Sequence, residues 1–183
     1  MLTTTWYLEM TEPVWLRPAA AVPVPVTRAE VVSPELNRYL YTAVGGDWYW
    51  LDRLEWSWQR WHDWLARPGV ETWLALDRGT PAGYAELDGT AGGEVELAYF
   101  GLLPAFVGRG IGGHLLTEAI RRAWTLGERW DLPATRRVWV HTCSNDGPSA
   151  LANYQARGLR VYRTEEEPVA LPPAPPGPWP GAR

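Results

Sequence analysis

The stretch LAYFGLLPAFVGRGIGGHLLTEAIRRAW, residues 97–124, decides how this 183-residue chain is read. An apolar, strand-like run meets a glycine-rich turn, and a long amphipathic helix opens directly after it. Ile111, Leu115, Leu116, Ala119, Ile120 and Ala123 share one face of that helix, and Glu118, Arg121, Arg122 and Thr125 the other. Such a turn leaves backbone N–H groups unpaired at a helix N-terminus, where the helix dipole also favours negative charge. The turn therefore suits a phosphate, and the functional question is which phosphate-bearing molecule sits there.

Upstream of the turn, VETWLALD, AGYAELDG and EVELAYFGLL are separated by GTP and TAGG, which predicts an antiparallel meander. Downstream, Gly127 suits the end of the long helix and RRVWVHTC reads as a strand. Asp146-Gly147-Pro148 opens a short helix that Gly158 closes, and LRVYRTEEE is the last strand. Nearer the N-terminus, TTTWYLEM and VPVPVTRAEVV look extended, and their prolines make them edge strands at best. Ser33-Pro34 starts a helix with Leu36, Tyr39, Leu40 and Ala43 on one face, which Gly45-Gly46 stops. A second helix is expected from about Asp47 to Ala66, with Leu51, Leu54, Trp58, Trp61 and Leu65 on its apolar face. Residues 1–170 read as a single domain, and 171–183, LPPAPPGPWPGAR, as a mobile proline-rich tail.

A formal net charge of −4 and a pI near 5.4 argue against nucleic acid as the main partner. The N-terminus lacks a basic segment followed by an apolar one, and no apolar run approaches a membrane span, so the expectation is a cytoplasmic protein that does not engage a membrane. The one cysteine, Cys143, cannot form an intrachain disulfide and reads as a small apolar residue, with a catalytic thiol as the alternative. His62, His114 and His141 make no pair at metal-ligand spacing, so no metal site is expected. Of 13 tryptophans, six fall between Trp48 and Trp64, a concentration that asks for more than core filling. For Trp48, Tyr49 and Trp50, packing and ligand binding are both open.

Gly108, Gly110 and Gly113 satisfy GxGxxG, but they follow a meander and the linker PAFVG rather than the first strand of a βαβ unit, and no GK[ST] ending is present. Dinucleotide binding and nucleotide hydrolysis are therefore disfavoured. A ligand-free tight turn remains the competing structural reading, although three glycines and an arginine exceed what a turn needs. The run LLPAFVGRGIGGHLL and the later SALANYQARGL resemble the GCN5-related N-acetyltransferases, whose patterns are V-x-P-x-x-R/Q-x-x-G-x-G/A and A-x-x-x-Y-x-x-x-G-F/L. The likeness spans residues 71–162 and extends to the order of elements. It implies an α/β fold with a central, mostly antiparallel sheet splayed between its fourth and fifth strands and flanked by about four helices.

It further implies that backbone amides of Gly108, Arg109, Gly110, Ile111, Gly112 and Gly113 hold the diphosphate of acetyl-CoA, with Leu102 and Leu103 facing the pantetheine and the acetyl carbonyl. Val107 stands where the family prefers Arg or Gln, so a side-chain donor is missing, which Arg109 would offset. Gly147 stands where many relatives carry a CoA-contacting Asn, and Asn145 is the substitute. Amine acetylation needs a base for the amine, polarisation of the carbonyl and an acid for the leaving thiolate.

Glu96 matches the position of a glutamate base in some relatives, with an exposed strand carboxylate as the competing reading. Strict alternation would put it on one face with Glu94, Ala98 and Phe100. Tyr154 matches the family's general acid, with a packed aromatic beside Leu151 as its alternative. His141 draws attention because its strand would flank the cofactor. The resemblance also implies that the segment carrying Asp47, Trp48, Trp50 and Asp52 lies over the acceptor, and its aromatic and acidic residues suit a small amine on an apolar or aromatic body. The expected activity is an acetyl-CoA-dependent N-acetyltransferase working by direct transfer, compatible with a homodimer. A non-catalytic acyl-CoA-binding domain is the alternative, and a dinucleotide-dependent oxidoreductase a distant third.

Overall fold

Seven runs of strand-type residues pair into one sheet in the computed structural model, which describes residues 1–182. In chain order they are β1 (Leu2–Met10), β2 (Val26–Arg28), β3 (Val70–Asp77), β4 (Thr80–Asp88), β5 (Glu94–Leu102), β6 (Arg137–Cys143) and β7 (Arg160–Pro168). Their order across the sheet is β2-β3-β4-β5-β6-β1-β7. All neighbours run antiparallel except β5 and β6, which are parallel.

The first strand departs from expectation. β1 contains no proline and lies inside the sheet, between β6 and β7, with Leu8 and Met10 fully buried. The prolines fall in the crossing segment, residues 13–25, which leaves β2 only three residues, and β2 is the edge the prolines predict. Where the crossing passes α3 (Ile111–Trp124), Ala19 N–H donates to Thr117 Oγ1 at 3.0 Å.

Helix α1 (Pro34–Gly45) starts as expected, with Ser33 Oγ accepting from Leu36 N–H at 3.2 Å. It packs with α2 (Trp58–Leu65) on one face of the sheet, against Tyr84 and Tyr99. On the other face α3 and α5 (Ala150–Ala156) bury Leu87, Val95, Leu97 and Val140. Gly127 does not stop α3. It lies inside a short further helix, α4 (Leu126–Trp130), where a Cβ would stand 2.7 Å from Pro133 O.

The second helix is much shorter than its periodicity predicts. Residues 47–57 fold as turns: Trp48 and Trp50 N–H both donate to Gly45 O, and Tyr49 takes a left-handed φ of 58°. Trp50 lies flat on Gly45, where a Cβ would collide with its indole, and packs on Tyr41 and Tyr99. These contacts outweigh helical spacing. The helix begins only where Ser57 Oγ accepts from Arg60 N–H.

Two irregularities in β5 shape the site. Glu86 of β4 faces Tyr99 while the next residue, Leu87, faces Leu97, so Ala98 is an extra residue, a β-bulge. The bulge overturns strict alternation: Phe100 joins Val95 and Leu97 on the α3 face, while Tyr99 points to α1. The parallel pairing of β5 with β6 covers only Glu94–Glu96 against Arg137–Trp139, after which the strands part. This is the expected splay. It falls between β5 and β6 because the N-terminal segment contributes two strands.

In the proline-rich segment, Gly177 N–H donates to Gly46 O at 2.9 Å, at the end of α1. Among the described residues no helix is long and apolar enough to cross a membrane.

Candidate active site

The fork between β5 and β6 holds a cavity of about 580 Å³. Its floor is β5 from Leu97 to Leu102, and its sides are His141 and Cys143 of β6, the start of α5 with Asn153 and Tyr154, and the turn carrying Trp48, Trp50 and Asp52. Gly112 and Val107 bring the glycine-rich loop to the same space.

That loop follows a 3-10 turn, Pro104–Phe106. Gly108 and Gly110 take φ values of 82° and 78°, a left-handed conformation that favours glycine. Gly110 is the N-cap of α3 and supplies no side-chain acceptor, so the first turn keeps backbone N–H groups for a ligand. Gly113 is closely approached: a Cβ there would stand 2.7 Å from Arg157 Nη1 and 2.9 Å from Ala19 Cβ. An uncapped start of a 14-residue helix opening on a cavity fits a diphosphate.

Several expected binding residues are placed differently. Arg109 does not stand in for Val107; its Nη2 pairs with Asp77 Oδ2 at 2.6 Å and its guanidinium lies over Phe106. Leu102 lines the cavity, but Leu103 packs with Leu40, Val44 and Tyr84. Asn145 is outside the cavity wall and donates to Thr3 Oγ1 at 3.1 Å. The side-chain donors beside the loop come instead from α5 and its C-cap, Arg157. Asn153 lines the cavity, and Arg157 reaches Asn153 Oδ1 at 3.4 Å while its covered Nε has no partner. Both lie in the quoted motif SALANYQARGL, but only their helical placement identifies them.

Tyr154 is 5% exposed, lines the cavity and packs its ring on Phe100 at 5.8 Å. Burial, with the charge of Asp146 adding, pushes its phenol well above the ordinary tyrosine range, so it keeps its proton at neutral pH. Glu96 does not itself form the cavity wall. Its Oε1 accepts from His141 Nδ1–H at 3.1 Å, and His141 does form the wall. The hydrogen bond to Glu96 raises the pKa of this half-exposed imidazole against the opposing effect of partial desolvation, and the charges of Glu96, Asp146 and Asp52 add to the rise. Cys143 is half-buried in the wall, and burial raises its thiol pKa, which disfavours a thiolate.

The aromatic side of the cavity contains Trp48, Trp50 and Tyr99 with Asp52 among them; Asp47 lies outside the wall. Asp52 accepts from Tyr41 O–H at 2.8 Å and from Tyr99 O–H, which fixes its carboxylate. Behind it Arg53 is buried, its Nη1 2.7 Å from Glu86 Oε1 and its guanidinium against Tyr99, Trp56 and Trp64. Trp61 is buried with this group, whereas Trp58, expected on the same apolar face, is 54% exposed and donates to Glu35. Among the described residues no group of three His, Cys, Asp or Glu side chains is arranged to hold a metal ion.

The sequence model of the Acetyltransferase (GNAT) family matches residues 37–159. No curated protein matches the chain. Among solved structures it is similar to a GCN5-related N-acetyltransferase from Kribbella flavida, with TM-score 0.62 and 19% identity over 88% of this chain and 55% of that one. A GCN5-related N-acetyltransferase from Sphaerobacter thermophilus gives 0.59 and 20% over 89% and 50%. A tandem GNAT protein from the clavulanic acid biosynthesis pathway gives 0.59 and 15% over 92% and 55%. The chain spans only 50% to 55% of the length of these three structures, and the likeness is one of fold.

Proposed function

Because the chain belongs to the acetyltransferase (GNAT) family, we propose that it is an acetyl-CoA-dependent N-acetyltransferase acting on a primary amine of a small molecule with apolar or aromatic character. Transfer is direct, within a ternary complex. The observation that carries this reading is the convergence on one cavity of the uncapped glycine loop, the protonated Tyr154 and the aromatic wall.

Bound acetyl-CoA supplies a thioester carbonyl open to attack and a sulfur that leaves. Backbone N–H groups from Gly108 to Gly113 hold the diphosphate, with Asn153 and Arg157 as the nearby side-chain donors. Leu102 lies along the pantetheine. The β6-facing backbone of β5 is open beyond Glu96, where the strand lines the cavity, and one N–H there polarises the carbonyl. Tyr154 holds a proton for the leaving sulfur, and Glu96 supplies the negative charge behind the base. Trp48 and Trp50 hold the apolar body of the acceptor. Asp52, which lines the cavity where Asp47 does not, attracts its amine in this reading.

The test is thiol release from acetyl-CoA across a panel of amines, with calorimetric binding of acetyl-CoA measured in parallel. Turnover of aryl- or arylalkylamines, with an acceptor KM raised by the Trp48→Ala, Trp50→Ala double substitution, is the expected result. Binding without turnover of any amine favours a non-catalytic acyl-CoA-binding domain. Absence of binding removes the reading altogether.

A further inference from the structure

We propose that His141, held by Glu96 at the fork of β5 and β6, takes the proton from the acceptor amine, and that Glu96 acts through it as a positioning residue. The inference rests on the acetyltransferase reading above and replaces a direct carboxylate base with an imidazole. Glu96 faces Trp139 in the last parallel pair before the strands part, and His141 is two residues further along the β6 arm. The hydrogen bond between them spans the vertex of the fork. Of the two, only His141 forms the cavity wall.

The pairing fixes the chemistry of the ring. A carboxylate can only accept, so Nδ1 carries the hydrogen and the lone pair is left on Nε2. Tyr7 of β1 and Trp139 of β6 flank the ring, their centroids 6.0 and 6.2 Å from that of the imidazole. The charged and titratable groups around it are Glu96 from β5, Asp52 from the turn after α1, Asp146 from the turn after β6, Tyr7 from β1 and Cys143 on its own strand. The three carboxylates favour the imidazolium that forms when the proton arrives.

In the reacting complex a neutral amine forms its N–C bond at the carbonyl carbon while its proton moves to His141 Nε2. The C–S bond breaks with its electron pair going to sulfur, which takes the proton of Tyr154. The proton on Nε2 then restores the Tyr154 phenol through solvent, so both groups return to their starting state. His141 works only when neutral, so the rate rises with pH through its pKa. Removing the Glu96 charge lowers that pKa and moves the rising limb to lower pH.

The experiment has two readouts on the full chain. An NMR titration of the three histidines without ligand, with His141→Gln to assign the resonance, measures the midpoint in wild type and Glu96→Gln. The pH profile of kcat/KM is measured for the same proteins. The expected result is a wild-type midpoint above the ordinary histidine value of about 6.5, lowered in Glu96→Gln, with the kinetic limb shifted equally. His141→Gln should lose at least about 100-fold in kcat while keeping its circular dichroism and its calorimetric affinity for acetyl-CoA. Three results overturn the relay alone: an unmoved NMR midpoint in Glu96→Gln, a His141→Gln rate within about threefold of wild type, or an equal loss in both variants with no shift of the limb. A wild type that turns over no amine overturns the function and the relay together, and the NMR midpoint then reports the pairing by itself.

Discussion

Replacing Arg53 by methionine removes the cation around which residues 47–64 are folded. Arg53 is 4% exposed and Glu86 1% exposed, and their closest atoms are 2.7 Å apart. The guanidinium carbon lies 4.3 Å from the ring centre of Tyr99 and 4.5 Å from those of Trp56 and Trp64. Breaking a buried ion pair by deleting one partner costs about 3–5 kcal/mol, because the remaining charge is left desolvated. Glu86 would retain Trp64 Nε1 at 2.8 Å and Asn37 Nδ2 at 3.4 Å, which places Arg53→Met at the lower end, about 3 kcal/mol. For a chain of this size that corresponds to a fall in Tm of roughly 6–12 °C in differential scanning calorimetry. Adding Glu86→Leu removes the stranded charge, so the double variant should be more stable than Arg53→Met alone. Because Asp52 precedes Arg53, the acceptor KM should rise while the affinity for acetyl-CoA stays near wild type. A fall in Tm below about 2 °C, or a double variant no more stable than Arg53→Met, would refute the claim that this pair organises the turn.

Three further outcomes follow from the geometry. Val107, at the rim of the cavity and 62% exposed, can be changed to arginine without disturbing the core, and one added charge-assisted contact of about 1 kcal/mol should tighten acetyl-CoA binding roughly fivefold by calorimetry. Tyr154→Phe keeps the packing on Phe100 and removes the proton, so kcat should fall about 100-fold when chemistry limits the rate, with Tm little changed. Glu71 has a fully buried side chain; burial raises its pKa, but hydrogen bonds from Arg129, Trp73 and Trp130 outweigh this and hold it below the ordinary value of 4.5. A depressed pKa contributes stability above the unfolded value that is lost as pH falls toward the folded one. In urea titrations Glu71→Gln should therefore be less stable at neutral pH and lose less on acidification than wild type.

What could be read from the chain was what local backbone chemistry dictates. The glycine turn, the helix opening at Ile111 and the start of α1 at Ser33 follow from φ requirements, caps and periodicity, and all three are present. Long-range pairing was not legible. Alternation in TTTWYLEM tells which side chains share a face but not which strands lie alongside, and nothing in the stretch itself places β1 between β6 and β7 rather than at an edge. The bulge at Ala98 depends on the register against β4, and without it Phe100 and Tyr99 exchange faces. In residues 47–57 leucine and tryptophan spacing satisfies a helix, but Trp50 on Gly45 and Arg53 on Glu86 draw the chain into turns, and the helix starts only at the Ser57 cap. Within the site, Tyr154 sits in a motif, whereas the Glu96–His141 pair joins residues 45 positions apart across two parallel strands.

The family match begins at residue 37, yet residues before it support the site. β1 lies directly behind β6, and its pairs run from Thr5 with Cys143 to Met10 with Val138. Tyr7 faces His141 in that register and stands against its ring, and Thr3 takes the Asn145 side chain away from the cavity. The segment that follows crosses α3, where Ala19 meets Gly113 and Val22 lies 3.3 Å from the position of a Cβ on Gly110. One continuous piece of chain thus braces both arms of the cleft, the β6 arm through β1 and the glycine-loop arm through residues 19–22. Burying Leu8 and Met10 contributes roughly 1.5–3 kcal/mol each, so β1 is held by the core. His141 consequently rests on an arm that β1 holds along its length, from Thr5 with Cys143 to Met10 with Val138, and a proton acceptor held in this way loses little orientational freedom when the acceptor arrives.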